Sequence, residues 1–273
     1  MVTRRATLVG AMSLAGVSVL RPGTAIAAGT TPVIFAAAHP DDETLAMSVA
    51  IAKHAAAGQA VHVLLLTDGE GSGVIGSLNG TTTSKWWGVR HVPSAEGYAP
   101  LTPADLAAAR VRELTTALKS LFAGLPGSVT LHRAGLPDGG VTTSTARAAI
   151  LSLADEIAPG AAVRIKGHSH AVDDHRDHIA IGQALVALSA EDPTRFSDRR
   201  HYILPHYWSD PRLSRVAYAW DMPGDASIAA RARNACNSYR SWAPANGHYA
   251  IGYHSVPEMF DALTGNIRSM YHS

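Results

Sequence analysis

Cysteine is almost absent: Cys236 is the one thiol in 273 residues. A single thiol excludes an internal disulfide, and with no ligand or nucleophile pattern around it Cys236 reads as a small buried residue. Charge is scarce too, at 16% of residues, and the formal charges nearly cancel. No basic stripe argues for a nucleic-acid partner. After the first twenty residues no apolar run is long enough to argue for a membrane span. Low-complexity blocks, internal repeats and an interdomain linker are lacking as well. Apolar residues are abundant, at 47%, enough for the core of one large α/β domain.

The N-terminus reads as a targeting segment. Arg4-Arg5 precedes the apolar run from Ala6 to Leu20, which is short for a bilayer, and Ala25-Ile26-Ala27 supplies small residues for cleavage. Residues 1–27 are therefore expected to be a signal peptide. The run from Thr3 to Leu8 resembles a twin-arginine address, so the expectation is a secreted, extracytoplasmic protein. Removing this segment takes away Arg4, Arg5 and Arg21 and no acid, which moves the formal charge from +1 to −2.

Beyond it, strand and helix patterns alternate. Strands are expected at Val33 to Ala38, Ala60 to Leu66, Val129 to Arg133, Val163 to Lys166 and His201 to Tyr207. Helices are expected at Glu43 to Ala57, Leu106 to Phe122, Ser144 to Ile157, Ile179 to Ser189, Ile228 to Ser241 and Val256 to Met270. This alternation predicts an α/β fold: a single Rossmann-like domain with a mainly parallel sheet and helices on both faces. The stretch from Asp68 to Gly97 is too long for a simple connection and is expected to form a rim over a site. Within it Trp86 and Trp87 are candidates to stack on a sugar ring, and Asp68 is a candidate pocket residue. The glycines from Gly69 to Gly73 lack Gly-x-Gly-x-x-Gly spacing and no helix follows directly, which argues against a nucleotide.

Two clusters carry chemistry. His39-Pro40-Asp41-Asp42-Glu43 joins the first strand to the first helix. Gly167-His-Ser-His-Ala-Val-Asp-Asp-His-Arg-Asp-His178 joins a later strand to a later helix. Acidic residues alone would fit a helix start, but four His and three Asp in the second cluster have no such role. Histidine nitrogens and carboxylates at the carboxyl edge of a sheet suit a borderline metal ion such as zinc. A spare carboxylate beside them suits metal-assisted hydrolysis. His168 and His170 remain open, either as ligands or as partners of Asp173 or Asp174. His54, His62 and His132 have apolar neighbours and are expected to be structural.

Together, Ala38-His-Pro-Asp-Asp-Glu43 and His175-Arg-Asp-His178 resemble the LmbE-like (PIG-L) family of zinc-dependent de-N-acetylases, which act on N-acetylglucosaminyl groups. Arg176 stands where that family usually has Pro. Arg110-Val-Arg-Glu113, Leu136-Pro-Asp138-Gly139 and Tyr239-Arg-Ser241 are weaker matches, the last followed by Trp242 where Gln is usual. The resemblance implies a catalytic domain over residues 28–273, with one Zn2+ on His39, Asp42 and His178. It implies Asp41 as general base, His175 as oxyanion donor and proton source, and Asp177 as the group orienting a histidine. Asp174 or Asp177 is expected to hold His175 in its charged form, and Arg110 and Asp138 to touch substrate hydroxyls or shape the pocket. The implied partner is a small molecule or glycan bearing an N-acetylated amino sugar. Two rivals share these residues: a metal-dependent esterase or phosphoesterase, and a catalytically silent carbohydrate-binding protein.

Overall fold

The computed structural model describes Ser18–Val19 and residues 31–273; the rest of the expected leader lies outside the described residues. In chain order the strands and helices are Ser18–Val19 (β1), Val33–Ala37 (β2), Asp42–Leu45 (α1), Ser48–Ala56 (α2), Ala60–Leu65 (β3), Val74–Leu78 (α3), Pro103–Phe122 (α4) and Ser128–Arg133 (β4). There follow Thr143–Ile157 (α5), Arg164–His168 (β5), Arg176–Glu191 (α6), Arg199–Ile203 (β6), Tyr218–Asp221 (β7), Ala226–Ser238 (α7), Trp242–Ala243 (β8), His248–Tyr249 (β9), Ile251–Ser255 (α8), Pro257–Gly265 (α9) and Ser269–His272 (β10).

The main sheet runs β1-β4-β3-β2-β5-β6-β10-β7, and β8 pairs with β9 in a separate two-stranded sheet. The five strands from β4 to β6 are parallel to one another. β1 and β10 are antiparallel to theirs. β2 is apolar at every position and wholly buried, as a strand covered on both faces must be. Its odd residues Val33, Phe35 and Ala37 pack with Leu118 of α4, Ile228 of α7 and Phe260 of α9. Its even residues Ile34 and Ala36 pack with Ile150 of α5 and Ile181 of α6. Each such Leu, Ile or Phe contributes roughly 1.5–3 kcal/mol on burial. No helix among the described residues is long and apolar enough to cross a membrane.

Local signals account for the long helices. Thr102 and Asp105 cap α4 reciprocally, with Pro103 in its first turn. The buried positions of α4, from Leu106 through Arg110, Glu113 and Leu114 to Leu121, recur at three and four residues. That period turns Arg110 and Glu113 inward.

Four expectations change. A short helix, α3, does follow the glycines from Gly69 to Gly73, starting at Val74 with Gly73 as its N-cap. The helix from Glu43 to Ala57 is broken after Leu45 and restarts at Ser48, its first turn tethered by Glu43 to the hydroxyls of Thr44 and Tyr239. The strand from His201 ends at Ile203, because Pro205 offers no N–H to a ladder and starts a short 3-10 turn. The stretch from Val256 to Met270 is not one helix: α9 stops at Gly265, and Met270 lies in β10, paired with both β6 and β7. β7, short and largely exposed, had no apolar pattern to announce it.

Gly167 in β5 leaves no room for a side chain. A Cβ there would stand 2.8 Å from Ile181 Cγ2 and 3.1 Å from Leu185 Cδ1 of α6. Gly167→Ala is expected to cost about 1–3 kcal/mol, the usual scale of overpacking, read as a lower midpoint in urea. An unchanged midpoint would show that α6 yields without cost.

Candidate active site

From β2 the chain steps through β3 to β4 on one side, then returns to place β5 on the other side of β2. Chain direction across the sheet therefore reverses between β2 and β5, the switch point where open α/β sheets leave a crevice. Both His/Asp clusters leave the sheet there. A cavity of about 780 Å3 opens over them, lined by His39, Asp41, Asp42, Asp138, His175 and His178 among others.

Three atoms converge at its floor. His178 Nε2 lies 3.2 Å from His39 Nδ1 and 3.3 Å from Asp42 Oδ2, and the last two are 3.4 Å apart. A tetrahedral ion with bonds of about 2.0–2.1 Å has ligand edges of about 3.3 Å, so the three atoms already form one face of such a shell. The far nitrogens are also held. His178 Nδ1 faces Asp173 Oδ2 at 3.0 Å, and His39 Nε2 faces Asp138 Oδ1 at 3.1 Å and Asp177 Oδ2 at 3.4 Å. Carboxylates behind imidazoles select the tautomer whose lone pair points at the metal. Against the desolvation of burial, Asp42 and Asp173 push His178 up to about 9, and Asp138 and Asp177 raise His39 well above its ordinary value. The same negative field favours any cation placed between the rings, so the residues present fit a divalent ion.

His168 also lies near Asp42 and His178, its ring stacked on His178 at 3.9 Å. Its Nε2 accepts the Ala38 N–H at 3.3 Å, which occupies the lone pair a metal would need. It therefore backs His178 rather than replacing it. His170 turns away from the cavity.

Asp41 sits beside this face in a strained conformation. Its φ of 123° is one of two positive values at non-glycine residues among those described, a backbone state that persists where surroundings impose it. Arg110 imposes it, its Nη2 donating to Pro40 O at 2.8 Å and to Asp41 Oδ2 at 3.1 Å. Glu43 adds a carboxylate that accepts from Asp41 N at 3.2 Å. Burial raises the Asp41 carboxyl and Arg110 pulls it back, to about 6. Burial takes Glu43 to about 7, despite hydrogen bonds from Thr44 and Tyr239.

His175 caps α6, its Nδ1 accepting from Asp177 N at 3.3 Å, and its ring meets His39 edge-on at 4.6 Å. The expectation of a charged His175 is corrected. Burial first, then the charges of His178 and His39, lower its pKa. Asp174 is paired with Arg212, and Asp177 is turned to the N–H groups of Gly139 and Val141 and to His39. With Nδ1 accepting, the neutral ring carries its proton on Nε2.

Other assignments shift. Arg110 shapes the pocket, its donors engaged by Gly69, Pro40 and Asp41, and Asp138 holds His39. Asp68 does not reach the cavity; Arg133, on the neighbouring β4, claims its carboxylate. Trp86 and Trp87 do not line it either. They pack with Tyr253, Trp242, His91 and His254, because apolar rings gain more by covering one another than by facing solvent. Asp173, expected as a partner of His168 or His170, holds His178 instead; the Tyr239 bond to Glu43 and the wall from Ser255 to Met259 had no sequence signal. Asp173 lies five residues before His178, a spacing with no motif; Glu113, which accepts from Ile251 N and Gly252 N, anchors that wall.

A model of the GlcNAc-PI de-N-acetylase (PIG-L) family matches residues 34–189, which include both clusters. The 1D-myo-inositol 2-acetamido-2-deoxy-alpha-D-glucopyranoside deacetylase of Rhodococcus opacus (strain B4) is 34% identical over 175 residues, 59% of this chain and 54% of that protein. The enzyme of the same name from Mycobacterium avium (strain 104) is 30% identical over 159 residues, 57% of this chain and 45% of that protein. The chain thus spans about half the length of these curated relatives. In fold it is similar to the A40926 pseudoaglycone deacetylase, with a TM-score of 0.57 and 16% identity over 89% of this chain and 96% of that one. It is similar likewise to the zinc inhibited form of teicoplanin deacetylase, at 0.53 and 16% over 89% and 97%.

His39→Ala and His178→Ala are each expected to remove the divalent ion held in the cavity, read as the loss of one equivalent of metal relative to the unsubstituted chain in elemental analysis of protein purified without added metal. Asp173→Asn should weaken it by about 10–100-fold, the usual effect of removing a carboxylate behind a ligating histidine. Equal affinity in a chelator competition would mean that Asp173 orients nothing.

Proposed function

The chain belongs to the GlcNAc-PI de-N-acetylase (PIG-L) family, and on that footing we propose that it is a zinc-dependent hydrolase that removes an N-acetyl group from an amino-sugar substrate. The observation that carries this reading is the pre-formed ligand face of His39, Asp42 and His178 with a carboxylate of raised pKa beside it. Bound there, zinc would supply a water of lowered pKa and polarise the amide carbonyl. Asp41, ionised above about pH 6, accepts a proton from the attacking water as its oxygen joins the carbonyl carbon. His175 presents its Nε2 proton to the oxygen on which negative charge develops. As the carbon–nitrogen bond breaks, Asp41 returns the proton to the departing nitrogen, leaving acetate and a free amine.

The cavity walls suit a sugar. Leu204, Val256 and Met259 offer an apolar side, and Arg176, Asp174 and Tyr207 a polar one. Each candidate ligand group around the cavity contains His39 or His178, and one contains both, which favours one ion over the separate pair that two-metal phosphoesterases use. The twin-arginine pattern at Arg4-Arg5 supports export, so the reaction is placed outside the cytoplasm in this proposal.

The decisive assay incubates the zinc-loaded protein with N-acetylglucosaminides, the inositol-linked one included, and reads acetate and free amine. Asp41→Asn is expected to keep the ion and lose about 10²-fold or more in turnover. Metal binding with no amine released from any of them would leave the silent-binder reading standing. A second outcome concerns pH. Arg110 lowers the Asp41 pKa, so Arg110→Gln should raise it and move the acid limb of kcat/KM to higher pH; a limb that stays put or moves down would remove Asp41 from the base role.

A further inference from the structure

Outside the cavity a second group of histidines meets. His201 of β6 stands opposite His272 of β10, and their rings stack at 4.8 Å with 15° between the planes. His170, just past the end of β5, closes the third side, its ring 4.9 Å from His201 and 5.8 Å from His272. One nitrogen from each lies within 4.8 Å of the others.

The protonation pattern suits an ion. His201 Nδ1 donates to His168 O at 3.1 Å, so its Nε2 bears the lone pair, and that atom is buried without a partner. His170 Nδ1 is likewise buried and unpartnered. His272 Nε2 meets the Ser169 hydroxyl at 2.8 Å. Since Ser169 Oγ already accepts from Ala171 N and Val172 N, its proton points at His272 Nε2, an unprotonated nitrogen whose lone pair is released for an ion when that hydroxyl, unlike a backbone N–H, rotates away. Burial keeps all three rings neutral, with Arg199 adding to the effect, and neutral imidazole is the ligating form. Buried polar atoms normally find partners. Two free imidazole nitrogens at one spot between three strands are costly as packing and purposeful as ligands.

We propose that His170, His201 and His272 form a second metal site, for a borderline divalent ion such as zinc, copper or nickel. Three imidazoles match that class, and solvent takes the fourth position. The nitrogens must close from at most 4.8 Å to the edge of about 3.3 Å that such bonds require, a change the soft χ2 torsion of histidine permits. None of the three lines the cavity, so the ion is a clip joining β10 to β6 and to the loop after β5, not a participant in hydrolysis. Arg199 is the nearby charge that opposes it.

The test uses the full chain carrying His39→Ala and His178→Ala, which leaves the cavity unable to hold an ion. Chelator-stripped protein is titrated with Zn2+ alone, followed by calorimetry and thermal melting. The expected result is one equivalent bound and a raised Tm. Adding His170→Gln, at the partly exposed ligand, or His272→Gln should abolish both while the metal-free Tm and circular dichroism stay unchanged. Arg199→Gln should tighten binding several-fold. The proposal is overturned if the folded double variant binds no zinc, or if the equivalent survives both glutamine substitutions.

Discussion

The parallel pairing of β2 with β5 is the constraint on which the site depends. Val33 aligns with Arg164 and Phe35 with Lys166, so two strands far apart in the chain end side by side at one sheet edge. Both then turn into helices whose first residues include acids, Asp42 and Glu43 on α1 and Asp177 on α6. Helix N-termini favour ionised carboxylates, and two of them, Asp42 and Asp177, in turn face His178 and His39. Backbone dipole, acid and histidine are thus stacked in that order around one point. Moving either strand by one residue would turn its terminal side chains to the other face.

Neighbouring acids take opposite characters here for reasons that can be named. Asp42 is held well below the usual carboxylate range: burial works against it, but His178 and His168 face it. Asp41, one residue earlier, is lifted by burial, and Arg110, the largest of the positive charges near it, recovers only part. One stays an anion under nearly all conditions, while the other can take and release a proton near neutrality. Environments that push two adjacent acids apart are a signature of divided labour. The positive φ at Asp41 is what sends the two side chains different ways.

Much of this was legible from residues alone. The apolar runs of β2 and β3 and the caps of α4 are local signals, and they announced the parallel core. The two His/Asp clusters were readable because each sits where a strand pattern gives way to a helical one, while the choice of His39, Asp42 and His178 within them came from the family resemblance. What stayed hidden depends on contacts distant in sequence. Asp68 looked like a pocket residue until Arg133 on the next strand claimed it. Trp86 and Trp87 looked like a sugar platform, but their neighbours Tyr253 and Trp242 come from a segment more than 150 residues further on. Asp173 carries no motif because its role is defined by the ring it faces. β7 and β10, short and irregular in composition, are strands only because each has an edge to lie against.

The position of β10 has a consequence for how the molecule is made. It follows β7 in the chain yet lies between β6 and β7 in the sheet. A ribosome releases the chain N-terminus first, so β6 emerges with an open edge, and β7 finds no strand to join until β10 appears. Through that interval the nascent protein carries an unpaired strand beside the nearly finished half that holds the cavity, the kind of exposed edge that recruits other chains. The last strand therefore acts as a closing stitch, and the time between its neighbours' release and its own is when the protein most needs shielding.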